Sequence, residues 1–406
     1  MKGMKTGGWR LLAAVSLLLA LVVPAFAEDT LSPWFGPGGG DNGPALDASA
    51  AGCSRMDGRA GVVYVACPQQ DAVRRILSNG RVERFAGTYT RPTSNTVPPV
   101  GTLALDWPLF APGDVAADSK GRVFILAAPF IYRVTAGGGI TAFAPVSSAG
   151  AIAAGRDLLY VTRPSGAALD VYDTDCAGPG CPPVQTITGF SGLLELRDVV
   201  VSPDDSAVTI LTRTDVRRLM PDGTHFRIAL GGSTTPTGPT PALEARLGAP
   251  SIMALAPDGA LYVADTGGNP RVYRISGTTI APFAGSGVVF TEYAGALPAP
   301  GTRCASWPMR ANGIVATSSE VFIGTNDGRG FRCSSDGVVL PTPTSTAAAA
   351  TATPLSSATA AATATRTRTA TAPPTFTPTS TPPPTSTATL LPTVCTEVCT
   401  DPNQTM

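Results

Sequence analysis

Histidine is almost missing from this 406-residue chain, with His225 the single example. It stands in the turn sequence Pro221-Asp222-Gly223-Thr224-His225, which leads into an outer strand, so histidine-based acid–base, nucleophilic or metal chemistry has little to work with. A Ser-His-Asp triad is disfavoured on the same ground. Charge is scarce too: 14% of residues are charged, and 29 basic residues balance 29 acidic ones. That balance removes the basic footprint expected of a nucleic-acid or anionic-membrane partner. Helical periodicity is nearly absent. The one long apolar run, 11–23, is shorter than the roughly 20 residues that a membrane span needs, and no later stretch is a candidate.

What is present begins with a leader. Lys2, Lys5 and Arg10 precede the apolar run, and Pro24 and Ala25-Phe26-Ala27 follow it, the pattern of a signal peptide over 1–27 cleaved after Ala27. No cysteine follows the cleavage point, so a lipid anchor there is not expected, and the product is expected to be secreted or extracellular. With 44 Gly and 39 Pro punctuating 43% hydrophobic residues, the body over 28–340 reads as all-β. From 341 to 394 the chain turns to Thr, Pro, Ala and Ser, which cannot bury a core and predicts a disordered stalk with hydroxyls open to O-glycosylation, a route to the cell surface. A short Cys-containing segment, 395–406, ends in the sequon Asn403-Gln404-Thr405.

The clearest stretch is 260–285, ALYVADTGGNPRVYRISGTTIAPFAG. Its apolar runs are separated by turn formers, and with 252–259 upstream it makes a four-stranded antiparallel meander. The unit recurs. Aligned on the second strand, the copies are Val63-Tyr64-Val65, Val123-Phe124-Ile125, Leu159-Tyr160-Val161, Val208-Thr209-Ile210, Leu261-Tyr262-Val263 and Val321-Phe322-Ile323. Six copies of a four-stranded unit predict a six-bladed β-propeller. An arginine recurs late in the third strand, as Arg75, Arg133, Arg218, Arg274 and Arg332, with Val171 in the third copy; its repetition reads as an inter-strand contact. The segment 31–37 looks like a last strand and is placed to close the ring as the outer strand of the sixth blade, in competition with 338–340.

APDGALYVADTGGNPRVYRI with FAGSG in the fifth copy, FAGT at 85–88, and ALDWP, ALEARLGAP and CASWP ahead of new copies together resemble the NHL-repeat propellers, the type also found in teneurins and secreted bacterial proteins. The resemblance covers the body and is sharpest in the fifth copy. It implies a fold shared by binding modules, sensor domains and a few lyases.

Eight cysteines suit an oxidising compartment. Cys176 and Cys181 bracket Ala-Gly-Pro-Gly and read as a local disulfide. Cys53 and Cys67 lie in the first copy and Cys304 and Cys333 in the sixth, so bridges inside each blade and bridges across the seam both satisfy the count, and Cys395 and Cys399 form a further disulfide candidate. Zinc is a poor alternative without a nearby histidine.

Two kinds of site are conceivable. Similarity to gluconolactonase-like propellers would imply Ca2+ held by oxygen ligands and hydrolysis of a lactone or ester. Asp71, Asp215, Asn326 and Asp327 are the oxygen-bearing turn residues to consider, and all are equally ordinary turn formers. Otherwise no cofactor is expected. The alternative is binding. Three inter-blade loops are long, 88–113, 233–250 and 286–312, and they share one face with the turns between second and third strands. They carry Tyr89, Trp107, Phe110, Phe290, Tyr293 and Trp307, in a chain with 6% aromatics, and Asp265 and Asn269 lie on the same face. Trp107 and Trp307, each just before proline, double as wedges between blades. The sequence thus predicts an extracellular binding module for a protein, peptide or glycan, without a nucleic-acid partner; a Ca2+-dependent hydrolase and a structural spacer are the competing readings.

Overall fold

The short apolar runs that define the repeat all become second strands. They read as apolar on both faces because each blade is covered on both sides by its neighbours, and Val123–Ala127, Val208–Thr212 and Leu261–Asp265 are buried along their whole length. The computed structural model describes residues 30–35, 41–45, 52–93, 96–164, 167–190, 195–288, 298–299 and 302–334. The chain divides into two units, residues 1–344 and 345–406. The signal segment, the stalk, Cys395 and Cys399 lie outside the described residues.

Six antiparallel sheets form the propeller. From the inside outwards, blade 1 comprises Met56–Arg59, Val62–Cys67, Ala72–Ile76 and Val82–Ala86, and blade 2 comprises Asp114–Ala117, Val123–Ala127, Phe130–Val134 and Ile140–Pro145. Blade 3 is Ile152–Ala154, Leu158–Arg163, Ala168–Asp173 and Gln185–Ile187; blade 4 is Leu196–Val201, Val208–Thr212, Asp215–Leu219 and His225–Leu230. Blade 5 is Pro250–Leu255, Leu261–Asp265, Arg271–Ser276 and Thr279–Ala284. It departs from the expected four strands, because Thr240–Pro241 in the loop ahead of it pairs with its outer strand as a fifth.

Blade 6 is completed by the other end of the chain. Ala311–Ala316, Glu320–Thr325 and Gly330–Ser334 supply three strands, and Thr30–Phe35 pairs antiparallel with the last of them. Leu31 is buried in the cluster shared with blade 5, so the closing strand contributes core as well as hydrogen bonds. Of the two segments competing for this position, the N-terminal one holds it; 338–340 lies outside the described residues. Six apolar clusters fill the interfaces between successive blades, the one between blades 6 and 1 joining Val315 and Phe322 to Val63 and Ile76.

The Phe-Ala-Gly motif has a steric cause. Gly87 and Gly285 both have φ of +92°, and a Cβ on Gly87 would meet the Asp71 carbonyl oxygen at 2.4 Å. The outer strand therefore leaves the blade across the backbone of the turn between the second and third strands, where a side chain has no room. Three disulfides occur among the described residues, Cys53–Cys67, Cys176–Cys181 and Cys304–Cys333. The first and third bridges are internal to the blades at the seam and none crosses it.

Candidate functional site

Charge gathers near the start of the innermost strands of blades 1, 2 and 4. Arg55 Nη1 lies 2.7 Å from Asp198 Oδ1 and 3.6 Å from Asp114 Oδ2, while its Nη2 donates to the Arg197 carbonyl at 2.8 Å. The carboxylates are also committed to backbone. Asp114 accepts from the Val115 and Ile152 amides, Asp198 from Val199 and Met253, and Asp57 from Gly58 and Ala117. Each thus ties its own inner strand to that of another blade. Burial pushes all three acids up, Asp114 to about 7 against the pull of Arg55. Burial costs any charged group, and one guanidinium between Asp114 and Asp198 cannot neutralise both carboxylates. The cavity that the innermost strands line around these groups is about 100 Å3. Arg55 occupies the place between the acids that a bound cation would need.

The four residues considered as Ca2+ ligands do not converge. Asp71 accepts from the Ala111 amide at 2.9 Å and faces Arg91. Asp215 accepts from Thr212 Oγ1 at 2.6 Å and pairs with Arg217. Asp327 accepts from the Thr325 hydroxyl and pairs with Arg329 at 3.6 Å, while Asn326 is exposed beside it. They sit where the second strand hands over to the third in blades 1, 4 and 6, each used locally. Among the described residues, no three His, Cys, Asp or Glu side chains are grouped to hold a metal. Asp265 is likewise a structural residue: it is buried and accepts from the Gly248, Ala249 and Gly267 amides, fixing the loop ahead of blade 5. Asn269 is exposed on that turn. His225 is peripheral, stacked on Phe190 with centroids 4.5 Å apart and beside Arg217, and burial lowers its pKa.

Among the loop aromatics the structure separates packing from display. Trp107 and Trp307 are half-buried against the clusters of blades 1 and 2 and of blades 5 and 6, which is the wedge role. Phe290 and Tyr293 lie outside the described residues. Tyr89 and Phe110 are displayed, 41% and 40% exposed, and both are braced by arginine. Arg74 and Arg84 lie over the Tyr89 ring at 5.7 and 5.4 Å, Arg74 Nε donates to Tyr89 Oη at 3.3 Å, and the phenol donates to Asp41. Arg91 lies over Phe110 at 4.8 Å. Tyr89 has φ of +60°, a left-handed conformation that a bulky side chain rarely adopts.

Sequence reasoning missed the axial acids and the opposite face. The acids had a signal, since Asp-Val heads the inner strand in both 114–117 and 198–201. The opposite face had none. There the turns between first and second strands of blades 1, 4, 5 and 6 surround a basin of about 1010 Å3.

No protein-family model matches the chain, and no curated protein does. Solved structures do. The chain is similar to a structural genomics protein of unknown function from Bacteroides thetaiotaomicron, with TM-score 0.55 and 14% identity over 75% of this chain and 76% of that one. It is similar to an auxiliary nutrient binding protein from Bacteroides ovatus, with TM-score 0.53 and 16% identity over 76% and 77%. A putative phosphatase from Bacteroides thetaiotaomicron gives TM-score 0.53 and 13% identity over 75% and 78%. At such identities the likeness establishes fold: this chain is an all-β six-bladed propeller of mostly four-stranded antiparallel sheets.

Proposed function

We propose that this chain is a secreted or cell-surface propeller of the NHL-repeat type, acting as a binding module that engages a protein, peptide or glycan through the loop 88–113 between blades 1 and 2. The observation that carries this reading is the pair Tyr89 and Phe110, exposed yet braced by Arg74, Arg84 and Arg91. Exposed aromatic rings held in place offer contact area with little entropy left to lose. The leader-like segment 1–27 and three disulfides support an extracellular setting. The fold neighbour described as nutrient binding agrees with a binding role without specifying this chain's ligand. Among the described residues the hydrolase alternative finds no free carboxylate cage, because Arg55 and backbone amides already engage the axial acids.

The test is a glycan and peptide array probed with the wild type and with Tyr89→Ala/Phe110→Ala. The double variant should lose at least about tenfold in affinity for whatever the wild type captures, in line with aromatic hot spots worth about 2 kcal/mol or more, while keeping its melting temperature. Equal binding by both proteins would sink the assignment to this loop.

A further inference from the structure

The basin opposite the aromatic loop has a chemistry of its own. Its described lining contains four arginines, Arg59, Arg81, Arg218 and Arg332, against two acids, Asp57 and Glu320. Both acids are spent: Asp57 accepts from the Gly58 and Ala117 amides, and Glu320 pairs with Arg332 at 3.5 Å. The remaining charge is positive.

The repeat shows which arginine is unmatched. At the recurring position late in the third strand, Arg75 pairs with Glu83 at 2.8 Å, Arg274 with Asp258 at 3.1 Å and Arg332 with Glu320. Arg133 donates to the carbonyls of Thr174 and Cys176 in blade 3. Arg218, half-buried on the basin wall, has no side-chain hydrogen bond or ion pair among the described residues. Arg59 and Arg81 each have an Nη2 bond to a carbonyl oxygen and, among the described residues, no acidic partner at salt-bridge distance. The guanidinium of Arg218 is not sealed from solvent, so it is free to meet an anion in the basin.

The rest of the lining narrows the ligand. Partly exposed Val62, Leu77, Val201, Leu255 and Phe322 give the basin apolar surface, and prolines 33, 44, 203 and 257 also line it. Phe322 is the one aromatic among the described lining residues, so a sugar ring would have a single face to stack on, while the surplus of arginine favours an anionic ligand. At about 1010 Å3 the basin is at the upper end of pocket sizes, roughly 300–1,000 Å3, which exceeds what one small acid fills. We propose that this basin binds an acidic peptide segment, with an apolar side chain against the partly exposed Val201, Leu255 and Phe322 and a carboxylate on Arg218.

The experiment uses the full chain and N-acetylated, C-amidated octapeptides alternating Glu or Asp with Leu or Ile, beside the same peptides carrying Gln or Asn, with binding read by fluorescence anisotropy. A galacturonate hexasaccharide is the second arm. The acidic peptides should bind at least about tenfold more tightly than their neutral counterparts, and Arg218→Glu should remove at least about tenfold of that affinity, with partial recovery in Arg218→Lys, as expected for a charge-assisted hydrogen bond. Arg81→Glu, at an exposed position where folding is not at risk, should weaken binding less. Equal affinity for acidic and neutral peptides, unchanged binding by a folded Arg218→Glu, or capture of the galacturonate in preference to the peptides would each overturn the proposal.

Discussion

Asp114 shows how one residue can be legible and misread at once. The sequence marks it as the head of an inner strand; the structure makes it a junction between blades and a member of a buried charge cluster with Arg55 and Asp198. An aspartate whose native pKa lies above its unfolded value makes the native state the stronger proton binder. Its contribution to stability is full below the unfolded value of 3.8 and is lost as pH rises through about 7. Asp198 and Asp57 are shifted in the same direction by the same burial, so they add to the trend. The melting temperature of the wild type should therefore exceed that of Asp114→Asn by most near pH 5, with the gap narrowing by several degrees towards pH 8. This window lies above the range in which the exposed acids Asp175, Asp204 and Asp222, all with lowered pKa, exchange protons. Circular-dichroism melts at both pH values check it, and a gap that widens towards pH 8 would contradict the axial arrangement.

At the level of elements, the blades are near-copies with different fastenings. Turn chemistry repeats faithfully, as at Asp258, whose carboxylate accepts from the Ala260 amide in the Pro-Asp-Gly turn. Fastening does not repeat. Cys304–Cys333 spans 29 residues and Cys176–Cys181 spans 5, so the chain-entropy estimate gives about 3–4 kcal/mol for the first and about 2 kcal/mol for the second. Cys304→Ser/Cys333→Ser should thus lose more in urea unfolding than Cys176→Ser/Cys181→Ser, the more so because the longer bridge holds the blade that the N-terminal strand completes. Equal losses in the two double variants would show that the bridge in blade 6 has no special part in ring closure.

On the scale of the molecule, closure by Thr30–Phe35 means that no segment after Ser334 is needed to complete a described sheet. A chain ending at residue 344 should keep the melting temperature of the full-length protein within about 2 °C, and differential scanning calorimetry would show it; a drop of 10 °C would place part of the ring in the Thr/Pro-rich stretch. The sequence by itself determined the all-β class, the six blades and the positions of their second strands. Those features are local: apolar runs bounded by Gly, Pro, Asn and Asp carry them within some 40 residues. It also determined that His225 is peripheral. Only tertiary structure decided that the N-terminal strand closes the ring, that the seam cysteines pair within blades and that Tyr89 is displayed while Trp107 is packed. Arg55 meets Asp198 across 143 residues of chain, and the core at the seam joins Ile76 to Val315. Contacts of that kind leave no periodicity in the sequence, because they exist only once the ring has formed.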